Sequence, residues 1–188
     1  MAKNYVSDIH LEQYLAEYEE KKSTYKDMVF GGGRKKRSLN GEWNYAVDQY
    51  DTCLRAKWFR ENYSTANGFS LPVDYSFDEW PVMTLPACWN TFAKEYLLYE
   101  GPMLFTRRFS HDTSEGGRQI LRIGAASMLG RVFLNGEYLG MHRGASTPFY
   151  FDVTGLLKED NRILISVDST RRPEQVPTDN TEIGRAHV

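Results

Sequence analysis

Apolar and polar residues alternate in short runs over much of the chain, and this pattern predicts antiparallel β-strands. In the run 148–153, Phe149, Phe151 and Val153 fall on one side of an extended backbone, and aliphatic residues alternate in the same way along 162–167. Each such strand is expected to bury one face only. Comparable signals predict further strands at 43–47, 82–85, 103–109, 120–123, 131–134 and 137–139.

Asn135 and Gly136 stand between two of these runs and predict a β-hairpin. A two-residue type I′ turn needs a positive φ at both central residues, and the pair Asn-Gly accepts that conformation better than other pairs. The sequence therefore predicts that 131–134 and 137–139 pair through a tight turn.

About eight strands at short spacing, with no helices predicted between them, are typical of a β-sandwich or a β-barrel. Before them, apolar residues recur at helical spacing over 7–28, and Gly31-Gly32-Gly33 separates this helix from the body. The segment 51–78 is polar and irregular with scattered aromatic residues, so it is expected to be a surface excursion with one helical turn and exposed aromatics. The predicted fold class is all-β, with an N-terminal helical extension over 1–33.

Charge and cysteine content exclude several function classes. The 188 residues carry a formal net charge of −2, and the basic run Arg34-Lys35-Lys36-Arg37 fits a solvated loop better than a nucleic-acid patch. Cys53 and Cys88 lack the spacing of a disulfide framework or a zinc site. No apolar run is long enough to span a bilayer, so a cytoplasmic protein is expected. We expect neither nucleic-acid nor membrane partners, and no metal or other cofactor.

Seven motifs occur in an order that resembles the N-terminal sugar-binding domain of glycoside hydrolase family 2. The resemblance covers about 38–181, and residues 34–181 are assigned to this domain. The motifs are Ser38-Leu39-Asn40-Gly41-Glu42-Trp43, Leu85-Pro86-Ala87-Cys88-Trp89-Asn90, Tyr99-Glu100-Gly101, Thr106-Arg107-Arg108-Phe109, Leu121-Arg122-Ile123-Gly124-Ala125-Ala126, Val132-Phe133-Leu134-Asn135-Gly136, and Thr147-Pro148-Phe149 with Phe151-Asp152-Val153-Thr154.

The resemblance implies a jelly-roll β-sandwich that precedes an immunoglobulin-like domain and a (β/α)₈ barrel in the parent enzyme. Such enzymes cleave terminal β-linked sugars with retention, using two carboxylates of the barrel, so no residue here is assigned as catalytic. Tyr99-x-Gly101 and the run 176–181 are most similar to the β-glucuronidase branch. A β-galactosidase is the second choice, since Glu100-Gly101-Pro102 stands where that branch has a sugar-binding Asn.

Four residues are candidate contacts to carbohydrate. Asp179 and Asn180 lie at the predicted exit of the sandwich, and their carboxylate and amide suit vicinal hydroxyls, although an ordinary Asx turn after Pro177 is the favoured alternative. Trp89 and Asn90 follow a proline at a strand end, where an exposed indole stacks on a sugar but a buried one anchors a core.

The final residues, 182–188, do not resemble the family. Ile-Gly-Arg-Ala-His-Val followed by a stop is the translation of ATC GGA AGA GCA CAC GTC TGA, a widely used sequencing-adaptor sequence. We interpret this tail as adaptor read-through and expect the gene to continue beyond Thr181.

The expected partners are a terminal β-glycoside and the remaining domains of the parent chain. The sequence does not determine the oligomeric state, and a homo-oligomer is compatible with it. Two alternatives belong to other classes: a free-standing lectin-like sandwich and a structural interaction module. A gene that continues into a barrel with two glutamates favours the glycosidase, whereas binding to a glycan array separates the other two.

Overall fold

A computed structural model of the chain describes residues 35–60, 62–64, 70–72, 77–114, 116–170 and 185–187. For 62–64, 70–72 and 185–187 it describes the backbone only. The predicted helical extension over 1–33 lies outside the described residues. Within them, no helix has the length and apolar character needed to cross a membrane.

Strands dominate the described residues, which confirms the all-β prediction. Helical structure consists of short turns: α1 (Thr52–Arg55), α2 (Trp89–Phe92) and the 3-10 turns Trp58–Arg60, Phe77–Glu79 and Lys94–Tyr96. The strands are β1 (Gly41–Val47), β2 (Asn62–Ser64), β3 (Ser70–Pro72), β4 (Val82–Leu85), β5 (Ala87–Cys88), β6 (Pro102–Ser110), β7 (Ile120–Ile123), β8 (Ala125–Ala126), β9 (Leu129–Leu134), β10 (Glu137–Arg143), β11 (Phe149–Asp152), β12 (Asp160–Asp168) and β13 (Arg185–His187). The expectation of no helices between strands was therefore too strict, since two helices of one turn interrupt them.

Six antiparallel strands form the main sheet in the order β10-β9-β12-β6-β1-β4. The longest ladder joins β6 and β12, which pair from Pro102 opposite Asp168 to Ser110 opposite Asp160. Two smaller sheets, β11-β7 and β5-β13-β8, supply the residues that pack against one face of the main sheet. The arrangement is a β-sandwich.

The principal core lies between these layers. Side chains from alternate positions of the main sheet meet Phe149, Phe151 and Ile123 of β11 and β7, as the alternation predicts. Trp43 and Trp89 are the largest fully buried apolar side chains. Burial of each such side chain contributes roughly 1.5–3 kcal/mol.

The opposite face of the main sheet is also covered, which corrects two predictions. β9 and β12 are buried along nearly their whole length, and residues 51–60 and 77–80 pack over part of their second face. Phe59 stacks on Phe133 with ring centroids 4.4 Å apart, and Phe77 is buried in the same cluster. Strands with one open face and an excursion with exposed aromatics were both expected from local polarity, but Phe59 and Phe77 of the excursion are buried and form part of the cover.

A buried ion pair lies beneath this cover. Arg131 of β9 is 1% exposed, and its Nη1 lies 3.9 Å from Oδ1 of Asp51, which precedes α1. Asp48 caps the same helix, since its two carboxylate oxygens accept hydrogen bonds from the backbone N–H groups of Thr52 and Cys53 at 2.6 and 2.9 Å.

The buried position of Asp51 disfavours the ionised form of its carboxyl group. Burial raises its pKa from 3.8 to about 6, since the pull of Arg131 is weaker than the combined effect of desolvation and the charges of Asp168 and Asp48. The 3.9 Å separation from Arg131 exceeds a hydrogen-bond distance, so direct compensation is limited.

Arg185–His187 forms β13, which pairs with Cys88 and Ala87 of β5 on one side and with β8 on the other. Such pairing uses backbone donors and acceptors that any sequence provides. The adaptor origin of residues 182–188 therefore stays a prediction.

The hairpin prediction is confirmed. Asn135 and Gly136 have φ values of 51° and 86°, and β9 and β10 pair on either side of them. The Asn135 amide donates to the backbone oxygen of Leu156 and to Oδ1 of Asn161, both at 2.9 Å.

Substitution of either turn residue by valine is expected to destabilise the fold. A β-branched residue at positive φ is strained by about 1–3 kcal/mol. Asn135→Val also loses the amide's hydrogen bonds, and a Cβ at Gly136 would lie 3.4 Å from Cα of Arg60. Urea unfolding measures the effect, with Gly116→Val as the control because nothing lies within 4 Å of its Cβ position. Equal stabilities of all three variants would contradict the assignment.

The variant Asp51→Asn is expected to change how stability depends on pH. With a raised pKa, the folded state holds a proton that the unfolded chain releases, so this stabilisation is present below about pH 4 and lost as pH rises to about 6. The loss is about 2–3 kcal/mol, and Asn at position 51 removes it. The measurement is the free energy of unfolding from pH 4 to 7 for wild type, Asp51→Asn and the exposed control Glu42→Gln. Parallel curves for wild type and Asp51→Asn would contradict the expectation.

Candidate functional site

The segment 87–101 carries two of the motifs on which the resemblance rests, and the structure shows how it is held. It begins as β5, continues as α2 and the 3-10 turn Lys94–Tyr96, and ends at Gly101 before β6. The thirteen residues 89–101 lie between β5 and β6 and belong to no strand, so local turns and side-chain hydrogen bonds fix their conformation.

Asn90 provides most of that fixation. Its Nδ2 donates to the backbone oxygen of Tyr96 at 2.6 Å and lies 3.3 Å from the backbone oxygens of Leu97 and Tyr99. Its Oδ1 faces Sγ of Cys88 at 3.7 Å. The amide of this buried residue is therefore used by the protein's own backbone, and the loop 96–99 is closed around it.

Trp89 is fully buried, in agreement with the core-anchor alternative from the sequence. Its ring lies 6.1 Å from that of Phe105, and its indole N–H donates to the backbone oxygen of Tyr99 at 3.4 Å. In this conformation, no face of the indole is open for a sugar. Trp89 and Asn90 are brought together as the interior of the segment, whereas Asp179 and Asn180 lie outside the described residues.

The Tyr99-x-Gly101 motif has a steric basis. Gly101 has a φ of 151°, and a Cβ there would lie 2.7 Å from the Tyr99 hydroxyl oxygen. That hydroxyl donates to the backbone oxygen of Pro102 at 2.8 Å. A side chain at position 101 would therefore displace the Tyr99 ring and open the turn.

The end of β12 is bound to this same turn. The backbone N–H of Gly101 donates to Oγ of Ser169 at 3.2 Å, and the N–H of Ser169 donates to the backbone oxygen of Gly101 at 3.3 Å. The end of β12 therefore lies next to the end of the segment 87–101.

Two tyrosines of the segment are poor acids. A hydrogen bond with Tyr45 raises the pKa of Tyr96, and burial raises that of Tyr99. Both phenols keep their protons in neutral solution. They serve as packing groups and hydrogen-bond donors, with the Tyr45 and Tyr96 rings edge to face at 5.9 Å.

The outer surface of the segment is apolar, which sequence reasoning missed. Phe92, Leu97 and Leu98 are 47%, 58% and 85% exposed. Their neighbours Lys94, Glu95 and Glu100 are also exposed, so the apolar side chains lie in a charged border. Adjacent leucines in a polar stretch without strand alternation were the available signal.

The described residues contain no group of three or more histidine, cysteine or acidic side chains placed to hold a metal ion. With the amide of Asn90 and the indole N–H of Trp89 directed at backbone oxygens, the arrangement supports a surface for contact. The geometry gives no described residue a catalytic role.

Comparison with known proteins agrees with the motifs. The family model for the sugar-binding domain of family 2 glycosyl hydrolases matches residues 36–181, most of the chain. The chain belongs to glycoside hydrolase family 2. The match includes the segment 87–101, and the resemblance stated from the sequence is confirmed.

Relatives of this family 2 domain include β-glucuronidases and a β-galactosidase. The chain is 27% identical to mouse β-glucuronidase over 152 residues, covering 77% of the chain and 22% of the relative. It is 30% identical to the β-galactosidase of Thermoanaerobacter pseudethanolicus over 112 residues, covering 55% of the chain and 15% of the relative. The chain thus spans about a fifth of the length of these relatives.

Solved structures give the same result. A β-glucuronidase from an uncultured Clostridium is similar with a TM-score of 0.63 and 25% identity, covering 78% of this chain and 25% of that one. The Bifidobacterium dentium β-glucuronidase, solved with coumarin-3-O-glucuronide, has a TM-score of 0.60 and 28% identity, covering 76% and 21%. The family 2 sandwich is therefore one part of a larger architecture in these proteins.

Asn90→Asp is expected to loosen the segment 87–101. A carboxylate cannot donate to the three backbone oxygens that the amide faces and repels them instead, at a cost of about 1–3 kcal/mol. Hydrogen exchange should accelerate at Leu97 and Tyr99. The exposed Asn40→Asp is the matched control. Unchanged exchange at 96–99 in Asn90→Asp would show that the amide does not hold the loop.

Proposed function

We propose that this chain is the non-catalytic sugar-binding domain of a longer retaining glycosidase that acts on terminal β-glucuronides. The observation that carries the proposal is the match over 36–181 to the family 2 domain, together with β-glucuronidases among the relatives and the similar structures. A β-galactoside is the second substrate class, because a β-galactosidase is also among the relatives.

The segment 87–101 is proposed as the surface that packs on the rest of the parent protein. Leu97 and Leu98 expose apolar area that is unfavourable in water, and Ser169 at the end of β12 is hydrogen-bonded to Gly101 of the same segment. The hydrogen bonds from Asn90 keep this surface in one conformation, so docking costs little conformational entropy.

The two catalytic carboxylates of the proposed glycosidase are expected to lie outside this chain. Retaining glycosidases place an acid/base and a nucleophile about 5–5.5 Å apart on either side of the bond that breaks. We propose none of the described residues as the acid/base or as the nucleophile. Asp179 and Asn180 remain proposed sugar contacts, and a cytoplasmic location remains a proposal.

The isolated chain is expected to show no turnover of p-nitrophenyl β-D-glucuronide, since both carboxylates of a double displacement would be missing. The test first determines the coding sequence beyond residue 181. The protein from the longest open reading frame and the fragment 1–181 are then expressed and assayed in parallel. The longer protein should hydrolyse the glucuronide faster than p-nitrophenyl β-D-galactoside.

Three outcomes would overturn parts of this proposal. Turnover by the isolated chain would place catalytic groups inside it, and faster galactoside hydrolysis by the longer protein would exchange the two substrate classes. A stop codon after residue 188 in adaptor-free DNA would exclude the longer enzyme, and a glycan array would then test the lectin-like alternative.

A further inference from the structure

Three asparagines of this chain are each followed by glycine, in the pairs Asn40-Gly41, Asn67-Gly68 and Asn135-Gly136. In such a pair the backbone nitrogen of the glycine can attack the side-chain amide carbon of the asparagine. Glycine favours this attack because it has no Cβ to hinder the approach. Asn67 lies outside the described residues, so the structure distinguishes between the other two pairs.

The side chain of Asn135 is held at both ends of its amide. Its Nδ2 donates to the backbone oxygen of Leu156 and to Oδ1 of Asn161, both at 2.9 Å, and its Oδ1 accepts the backbone N–H of Arg162 at 3.0 Å. Ring closure on the nitrogen of Gly136 also needs a ψ that the left-handed conformation of Asn135 does not provide. The hairpin must therefore open before this pair can react.

Asn40 is held only through its backbone. Its side chain is exposed, and its amide forms no hydrogen bond with the part of the chain that the structure describes. Its backbone N–H donates to Oγ of Ser38 at 3.1 Å, and its backbone oxygen accepts from Nη1 of Arg107 at 3.0 Å, both at the exposed surface. Asn40 directly precedes β1, so its backbone is freed by fraying of a strand end, which costs less than opening a hairpin.

We propose that Asn40 is a site of spontaneous deamidation in the folded protein and that Asn135 is protected from the same reaction. A bond forms between the nitrogen of Gly41 and Cγ of Asn40, and the bond from Cγ to Nδ2 breaks. Nδ2 leaves as ammonia with the proton of the glycine N–H. Water then opens the cyclic imide at either carbonyl and leaves aspartate or isoaspartate at position 40, with no oxidant or reductant. The inference does not rest on the proposed function.

The isoaspartyl product changes the start of β1, because it routes the main chain through Cβ and adds an atom before Gly41. On one side, the oxygen of Leu39 accepts from Nε1 of Trp43 at 2.8 Å and from Nη1 of Arg107 at 2.9 Å. On the other side, Gly41 pairs with Leu85 of β4. A longer connection between these fixed points is expected to loosen the first residues of β1.

The test is peptide mapping of the full chain by mass spectrometry during incubation in neutral buffer, with a parallel sample unfolded in urea. Trypsin places the three pairs in the separate peptides 38–55, 61–94 and 132–143, and fragmentation identifies the converted residue. In the folded sample Asn40 should convert about a hundredfold faster than Asn135, since three hydrogen bonds each favour the closed hairpin about fivefold. In urea the two rates should become similar. A sample taken at the start corrects for conversion during digestion.

Asn40→Gln is the matched control, because the longer side chain keeps the amide but does not readily close the same ring. Its peptide 38–55 should stay unconverted at position 40. Hydrogen exchange at Gly41 and Glu42 should be faster in aged than in fresh wild-type protein, and should not change on ageing of Asn40→Gln. Unchanged exchange in aged wild type would contradict the effect on β1. Similar rates at Asn40 and Asn135 in the folded sample, or conversion of Asn40 in urea only, would overturn the proposal.

Discussion

Burial of the main sheet on both faces is the constraint on which the rest of the structure depends. β9 and β12 have almost no exposed side chain, so two separate layers must supply apolar partners. The smaller sheets cover one face, and residues 51–60 and 77–80 cover part of the other, with Phe59 and Phe77 buried there. The same two stretches bring Asp51 to the buried Arg131 and Asp78 to Arg162.

Much of the sheet could be predicted from the sequence, because local information determines it. Alternation identified the strands, and the pair Asn135-Gly136 identified the turn from its backbone requirement alone. Burial of the second face could not be predicted in the same way. Arg131 and Ser166 interrupt the apolar positions of that face with polar side chains, which indicate solvent when the cover cannot be seen. The ion pair of Arg162 with Asp78 was equally hidden, since the two residues are far apart in sequence.

The segment 87–101 illustrates how a motif can be recognised while the sequence leaves two roles open for its residues. Tryptophan and asparagine are residues that bind sugars, and they are also residues that stabilise a loop without strand partners. Only the positions of three backbone oxygens around the amide of Asn90 separate the two roles. The sequence contained no information about those oxygens, whereas family membership followed from the order of the motifs. The fold and the family could thus be predicted from the sequence, whereas the hydrogen-bond partners of each polar group could not.

The pairing of β6 with β12 has a consequence for synthesis on the ribosome. Their partners are fifty or more residues apart in the chain, and β12 is the last strand of the main sheet to be made. The two parts of the sheet, β4-β1-β6 and β9-β10, are therefore joined only when the strand between them has been made. Distant pairing of this kind is slow, because loop closure must precede the contacts that reward it. Until residue 168 emerges, the other five strands of the main sheet lack their common partner, and their apolar faces are accessible to chaperones and to other nascent chains.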